Sequence, residues 1–314
     1  MQVRIGHLST FYHTAVLLMA GNDTGMRLGA DIGWRLFGTG PAIIEAFEKS
    51  ELDLAYIGLP PAIIGIARGV PVVCVAGGHI EGTVISGRAG FAGMPEAGDP
   101  AGVVAQFSGH VIGVPGRGSI HDVILTELLD RQGLTTAVEV VNFAWADQAT
   151  EAAVKGTIDF AVGTPALAVA LRRYAGFRTL CPPSLIWPEN PSYGILASRA
   201  FLEKAPQAVL SFLSLHEDAA AFLRSDPREA AAVIARYVGF VDSDFVLETL
   251  RVSPKYCADL SAGYIRATME FAGCLKRLGY ISREVARDEI FDTSLIRTVH
   301  PEGDHYGAVP GRVS

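Results

Sequence analysis

The chain has 314 residues, and its 33 acidic and 26 basic residues give a net charge of -7. With 49% hydrophobic and 19% charged residues, the composition is typical of a folded protein and excludes a disordered or low-complexity one. The charges are scattered, without a lysine- or arginine-rich stripe, so we expect no nucleic-acid partner. A single core stops growing at roughly 250 to 300 residues, so the length predicts two lobes.

The longest apolar tract, at residues 56–78, contains Arg68 and several prolines and glycines. Because a membrane span needs roughly 18 unbroken apolar residues, we expect no transmembrane segment. The chain opens on the strand-like run MQVRIGHLST and shows no export signal. We expect a periplasmic or other extracytoplasmic location if a signal was trimmed, and a cytoplasmic one if Met1 is the native start.

Strand-like and helix-like segments alternate from the start of the chain. The predicted strands are VRIGHL, GADIGWRLFG, LDLAYIG and PVVCVAGG. The predicted helices between them are TAVLLMAGND, PAIIEAFEKS and PPAIIGIARG. Such alternation predicts parallel strands joined by helical crossovers. The stretch at 87–102 is rich in glycine and proline, and we predict that it connects two units.

A second alternating unit follows that stretch. Its strands are HVIGVPG, EVVNF and TIDFAVGT, and its helices are SIHDVILTELLDRQGL and DQATEAAVKG. Ser119 is a plausible N-cap for the first of these helices. After a proline-rich loop, the chain gives one more strand, GILAS, and is then predicted to be almost wholly helical from Phe201 onward.

One sequence pattern occurs twice. EAFEKSELDLAYIGLPPA begins at Glu45, and EAAVKGTIDFAVGTPALA begins at Glu151. The pattern predicts a helix, a turn and a strand in each half, with Asp53 and Asp159 at the strand starts capping a turn or accepting backbone hydrogen bonds. Ligands of open α/β sheets bind beyond the carboxyl ends of the strands. Two facing units of this kind therefore predict a cleft between lobes.

The four cysteines are far apart and form no C-x-x-C pair: Cys74, Cys181, Cys257 and Cys274. We predict that they are buried small apolar residues. Four histidines could cluster around a metal, but they lack helical H-x-x-x-H spacing, and lone or capping roles are favoured: His7, His13, His79 and His121. No catalytic residue, no metal ligand and no cofactor are therefore predicted.

Two longer stretches resemble a known family. FGTGPAIIEAFEKSELDLAYIGLPPAIIGIARGVPVVCVAG looks like the first lobe, and FSGHVIGVPGRGSIHDVILTELLDRQGL the start of the second lobe, of ABC-transporter solute-binding proteins of the nitrate/sulfonate/taurine (NMT1/THI5-like) family. The resemblance covers about residues 3 to 225. It implies the α/β, two-lobed type II periplasmic-binding-protein fold, with each lobe a mixed sheet flanked by helices and with a helical C-terminal region.

The repeated pattern and the glycine- and proline-rich stretch at 87–102 predict where the lobes divide. We expect residues 1–86 and 193–314 to form lobe 1 and residues 87–192 to form lobe 2. The chain would cross between them near Arg88 and Pro191, and the ligand cleft would lie between the lobes.

Several loops supply candidate ligand contacts. GTGP at 38–41 and GRGS at 116–119 place small residues before predicted helices, where free N–H groups and the helix dipole favour an anion, although such glycines can also simply make turns. The loop HLSTFYH at 7–13 and Trp145 add rings and polar groups, for which core packing is the alternative. The predicted ligand-binding residues are Ser9, Thr10, Phe11, Tyr12, His13, Gly38, Thr39, Gly40, Gly58, Leu59, Pro60, Arg117, Gly118, Ser119, Ile120, His121, Trp145, Gly163, Thr164 and Tyr193. In particular, the N–H groups of Ser119 and Ile120 are expected to point into the cleft.

Two functions remain open. The favoured one is a monomeric binding protein that captures a small anionic organic molecule, sulfonate- or carboxylate-like, by lobe closure and delivers it to an ABC permease and its ATPase. The alternative is a cytosolic enzyme on the same fold, of the desulfinase, decarboxylase or cofactor-biosynthesis type. The predicted cleft offers no nucleophile with an obvious base, which favours binding over catalysis.

Overall fold

The computed structural model describes residues 1–21 and 24–307, which form two five-stranded sheets flanked by helices. The strands are β1 (Gln2–Leu8), β2 (Asp31–Phe37), β3 (Leu54–Ile57), β4 (Val72–Ile80), β5 (Val84–Arg88), β6 (Val111–Pro115), β7 (Glu139–Phe143), β8 (Phe160–Gly163), β9 (Phe177–Cys181) and β10 (Pro191–Ser198). The helices of the first half are α1 (Ala15–Ala20), α2 (Thr24–Leu28), α3 (Gly40–Glu48), α4 (Leu59–Ala67), α5 (Met94–Ala97), α6 (Pro100–Ala105), α7 (Ile120–Arg131) and α8 (Ala146–Lys155). Those that follow are α9 (Pro165–Ala175), α10 (Pro183–Ile186), α11 (Arg199–Lys204), α12 (Pro206–Ser225), α13 (Pro227–Val238), α14 (Ser243–Val252), α15 (Ala262–Arg277), α16 (Arg287–Ile290) and α17 (Ile296–Val299).

The two sheets have the same design. The first has the order β2-β1-β3-β10-β4, and the second has the order β7-β6-β8-β5-β9. In each sheet the first three strands are parallel, and the fourth strand runs antiparallel to both of its neighbours. Both antiparallel strands, β10 and β5, directly follow a passage of the chain from one sheet to the other. The strands that the sequence predicts are present, whereas β5 and β9 are not predicted by their patterns.

The chain leaves the first sheet earlier than the sequence predicts. It passes from β4 to β5 through residues 81–83, so the glycine- and proline-rich stretch at 87–102 lies after the passage and contains α5 and α6. The five residues of β5, VISGR, are too short and too mixed to show a strand pattern. The division into lobes at residues 1–86 with 193–314, and 87–192, stays a prediction.

The repeated sequence pattern has a shared structural role. The Asp53 carboxylate accepts the Arg4 backbone N–H at 2.8 Å, and the Asp159 carboxylate accepts the Val111 backbone N–H at 3.3 Å. The backbone N–H of each aspartate donates in return to the carbonyl of the same partner, at 2.9 Å in both cases. Each aspartate therefore fixes the register between the middle strand of its sheet and the neighbouring parallel strand. Of the two predicted roles, the structure shows the acceptor of backbone hydrogen bonds.

The C-terminal helices contact helices that follow strands of both sheets. Helix α15 packs against α4, whereas α14 packs against α9. Among residues 1–21 and 24–307, no helix combines the length and the apolar character that a membrane crossing requires.

We expect the substitution Asp53→Ala to lower the free energy of unfolding by about 1 to 3 kcal/mol, because it leaves a partly buried Arg4 N–H without its acceptor. Asp53 is 13% exposed and also pairs with the Arg4 guanidinium at 2.7 Å. Asp218→Ala is a matched control, since its pair with Arg27 is largely exposed and is expected to contribute under about 1 kcal/mol. Urea denaturation measures both variants, and equal losses would contradict the register role of Asp53.

Candidate ligand-binding site

A cavity lies where the carboxyl ends of the parallel strands of the two sheets face each other. Its empty volume, including its opening to solvent, is about 740 Å³. We call it the central cavity, and it is lined by Leu8, Ser9, Thr10, Tyr12, His13, Gly38, Thr39, Gly40, Gly58, Pro61, Pro115, Ser119, Ile120, His121, Phe143, Ala144, Trp145, Ala146, Ala149, Thr164, Leu167 and Ser192. Small-molecule sites of this fold class occur at the same edge of the sheet.

Five helices begin at the central cavity. Their N-cap residues all line it, and they are Thr39 of α3, Gly58 of α4, Ser119 of α7, Trp145 of α8 and Thr164 of α9. The first-turn N–H groups of a helix have no partner within the helix, and the helix dipole places partial positive charge at that end. The cavity is therefore surrounded by positive helix ends from both sheets.

Helix α7 shows which N–H groups remain for a ligand. The Ser119 hydroxyl accepts from the Asp122 backbone N–H at 3.2 Å, and the Ser119 N–H itself donates to the Gly116 carbonyl at 2.9 Å. The expectation that the Ser119 N–H points into the cleft is therefore wrong, because a turn uses it. The N–H groups of Ile120 and His121 have no acceptor among the described residues, and both residues line the cavity.

Two polar atoms in the wall of the cavity are buried without a partner in the described part of the chain. They are Thr10 Oγ1 and His13 Nδ1, in side chains that are 7% and 1% exposed. Leaving such a group unpaired costs about 1 to 3 kcal/mol. A ligand that hydrogen-bonds to both atoms would remove this cost.

Among residues 1–21 and 24–307, the lining of the central cavity contains no lysine, arginine, aspartate or glutamate. Burial lowers the pKa of His13 well below 6.5 and lowers the pKa of His121 to about 3. Burial also raises the pKa of Tyr12 to about 12, and its hydroxyl lies 3.2 Å from Ser192 Oγ. The lining side chains are therefore neutral near pH 7, and the helix ends supply the local positive potential.

Residues 1–239 match the model of the NMT1-like family. The chain belongs to this family. A protein of Brucella abortus (strain 2308) named as a binding protein is 24% identical over 242 residues, which cover 75% of this chain and 71% of that protein.

Two solved structures of sulfonate-binding proteins share the fold of this family member. The alkanesulfonate-binding protein of Xanthomonas axonopodis pv. citri, bound to MOPS, is 20% identical with a TM-score of 0.76, covering 92% of this chain and 98% of its own. The periplasmic aliphatic sulphonate binding protein of Escherichia coli is 22% identical with a TM-score of 0.75, covering 92% of this chain and 97% of its own. The likeness confirms the predicted type II periplasmic-binding-protein fold, with two mixed sheets flanked by helices.

Two glycines allow loops of the two sheets to approach closely in this family member. A Cβ at Gly38 would lie 2.4 Å from the Ala144 carbonyl oxygen and 3.1 Å from the Trp145 ring. A Cβ at Gly58 would lie 3.3 Å from the Ile120 side chain. Larger residues at either position would separate the two walls of the central cavity. The sequence predicts both glycines as ligand contacts, and the structure gives them this packing role as well.

The structure places seven of the predicted site residues outside the cavity lining. Phe11 packs against Phe240 and Phe245, and Arg117 lines neighbouring pockets beside Tyr280. Gly118 has φ +81°, and its N–H donates to the Asp122 carboxylate at 2.8 Å, which holds this turn away from the cavity. The other four are Leu59, Pro60, Gly163 and Tyr193.

Tyr193 packs against His13, which lines the cavity. Its ring centroid lies 4.0 Å from that of His13, and the side chain is fully buried. The polar lining residue that sequence reasoning missed is Ser192, its neighbour on β10. The proline-rich sequence around Ser192 predicts a loop, and no pattern links it to Tyr12, 180 residues away.

The described residues contain one group whose ligand atoms converge as a metal site requires, formed by Cys257, His300 and His305. The four histidines considered from the sequence are not part of it. His121 instead has Nδ1 within 3.0 Å of the Thr83 hydroxyl.

Acidification tests the neutral state of His121. An unfolded histidine has a pKa near 6.5, whereas burial lowers the pKa of folded His121 to about 3. Between these values the unfolded chain binds more protons, so the free energy of unfolding falls as pH falls, by up to about 1.4 kcal/mol per pH unit for this group. We expect His121→Gln to lose stability less steeply than the parent in this window. Urea denaturation at several pH values gives both slopes, and equal slopes would mean that His121 is protonated in the folded protein.

Proposed function

We propose that this protein is a solute-binding protein that captures a small organic anion, with a sulfonate or carboxylate group, for an ABC importer. The observation that carries the proposal is the convergence of five helix N-termini on a cavity without charged side chains. Membership of the NMT1-like family and the sulfonate-binding relatives of the same fold support it.

The electrostatics of the cavity favour an anion over a cation. Each helix N-terminus carries the equivalent of about half a positive charge, and its free N–H groups are hydrogen-bond donors. Proline residues in the first turns of α3, α4 and α9 supply no N–H, so α7 and α8 offer the fuller sets of donors. The hydroxyls of Ser9, Thr10 and Ser119 can add donors. A sulfonate or carboxylate offers several acceptor oxygens to these N–H and hydroxyl donors. An ammonium group would be repelled by the positive helix ends and would find no carboxylate among the described lining residues.

The rest of the cavity suits an organic group. Leu8, Phe143, Trp145 and Leu167 supply apolar surface beside the polar groups. We therefore infer a ligand with a short aliphatic or ring-bearing body rather than an inorganic oxyanion alone.

We further propose that the ligand holds the two sheets and their helices in a closed arrangement. Several ion pairs join helices that pack on different sides of the cavity, such as Arg277 with Asp130 at 2.7 Å and Arg173 with Glu248 at 3.1 Å. An ABC permease would then receive the closed form at the extracytoplasmic face of the membrane. This location agrees with that of the periplasmic relative. The enzyme alternative lacks an obvious nucleophile, since the described residues that line the cavity include neither cysteine nor carboxylate.

The hydroxyl of Thr10 tests recognition in the cavity. We expect Thr10→Val to weaken binding of an aliphatic sulfonate by about 1 to 2 kcal/mol, or roughly 5- to 30-fold, because it removes a hydrogen-bonding group and keeps the shape. Thr157→Val is the matched control, since the Thr157 hydroxyl donates to the Ala152 carbonyl away from the cavity. Calorimetry with methanesulfonate, MOPS, a carboxylate and an alkylamine compares ligand classes.

The same titrations can overturn the proposal. Tighter binding of the alkylamine than of every anion would contradict the anion site. Equal affinities in the parent and in the Thr10→Val variant would remove Thr10 from recognition. Release of a new product from a bound anion would assign the protein to the enzyme class.

Ligand binding should compact and stabilise the protein if closure accompanies it. At a ligand concentration of about 100 times Kd, we expect the free energy of unfolding to rise by about 2.7 kcal/mol. The radius of gyration measured by solution scattering should fall on addition of the same ligand. Stabilisation without a change in the radius of gyration would contradict closure while leaving the binding site intact.

A further inference from the structure

A second cluster of chemically active side chains lies apart from the central cavity. The sequence predicts Cys257 to be a small apolar residue, but its sulfur lies 3.3 Å from His300 Nε2 and 3.8 Å from His305 Nδ1. The two histidine nitrogens are 3.0 Å apart. None of the three residues lines the central cavity.

These distances match the spacing of ligands around one metal ion. Zinc lies about 2.0–2.1 Å from histidine nitrogen and about 2.3 Å from cysteine sulfur, so tetrahedral angles separate its ligand atoms by about 3.3 to 3.6 Å. The three observed separations bracket that range. An ion could enter between the three atoms with small adjustments of the side chains.

Hydrogen bonds from neighbouring backbone groups orient the side chains of the cluster, as is usual for the ligands of a metal. His300 Nδ1 lies 3.1 Å from the Glu302 carbonyl oxygen, which can only accept, so Nδ1 carries the proton and Nε2 presents a lone pair to the cluster. The Cys257 sulfur accepts the backbone N–H of His305 at 3.3 Å. Such outer contacts fix the tautomer of a ligating histidine and stabilise a ligating thiolate.

Burial and charge also suit a cation. Cys257 and His300 are buried, whereas His305 is partly exposed and leaves a path for an ion to enter. The nearby guanidinium of Arg224, which donates to the Tyr256 carbonyl, is paired with Glu217 at 2.7 Å. Its positive charge is thus compensated.

We propose that Cys257, His300 and His305 bind a divalent transition metal of the zinc type. The ion would fasten the chain around residues 300–306 to the segment that contains Cys257. That segment borders the first sheet, where the Cys257 N–H donates to the Gly78 carbonyl of β4 at 3.2 Å. Tyr306 already joins the same two segments, since its hydroxyl lies 2.9 Å from the Cys257 carbonyl oxygen.

The test uses the whole protein, reduced and freed of metal with a chelator, and titrated with Zn²⁺ and with Co²⁺ alone. We expect one equivalent of Zn²⁺ to bind and to raise the melting temperature without any organic anion. Bound Co²⁺ should show a sulfur-to-metal charge-transfer absorption, which reports the thiolate ligand directly. Hydrogen exchange at residues 300–306 should slow when Zn²⁺ is present.

Three variants separate this site from adventitious binding. We expect Cys257→Ser and His305→Ala to weaken Zn²⁺ binding by more than about 100-fold, because loss of even an outer contact weakens metal sites by about 10- to 100-fold. Cys181→Ser is the matched control: Cys181 is also buried, and its sulfur contacts only the Pro182 carbonyl among the described residues. His305→Ala removes a partly exposed side chain, so it keeps the test available if Cys257→Ser fails to fold.

The outcomes are distinct. No Zn²⁺ binding by the reduced parent, or equal binding by the parent and the His305→Ala variant, would overturn the metal site and leave a hydrogen-bonded triad. A Co²⁺ spectrum without the sulfur band would overturn the ligand set. None of these results depends on the central cavity, so the proposed capture of an organic anion stands or fails separately.

Discussion

The shared direction of the parallel strands determines where the helices that follow them begin. Each parallel strand is followed by a helix that begins at the same edge of the sheet, so helix N-termini gather there. Because two sheets of the same design face each other at that edge, five N-caps from Thr39 to Thr164 surround one cavity. The resulting field comes from backbone dipoles, and it needs no charged side chain.

Structural and functional residues are separated within the repeated unit. Asp53 and Asp159 hold neighbouring parallel strands in register at their amino ends, with the backbone bonding in both directions. The cavity-lining residues, such as Gly58 and Thr164, follow the carboxyl ends of the same strands. One short unit of sequence therefore fixes a strand at one end and offers a helix N-terminus to the ligand at the other. Its use in both halves explains why the two walls of the cavity have similar chemistry.

Local patterns predicted most of the fold and 13 of the 22 residues that line the proposed cavity, because helix starts and strand ends have sequence signals of their own. They failed where a side-chain contact that the local pattern does not show decides the outcome. Ser192 reaches the cavity on an antiparallel strand whose sequence looks like a loop, and Gly118 is turned away by the Asp122 carboxylate four residues later. The proposed metal cluster has one local signal, the spacing of His300 and His305, but its cysteine lies 43 residues before His300.

The distribution of the helix N-termini between the two walls also bears on ligand release. Helices α3 and α4 follow strands of the first sheet, whereas α7, α8 and α9 belong to the second. Pulling the walls apart would divide the donors into two incomplete sets and would admit water between them. A transporter that only holds the walls apart would thus weaken the grip on its cargo without competing for it chemically. Under the proposed function, separation of the two cavity walls would by itself change a state that binds the ligand tightly into one that releases it.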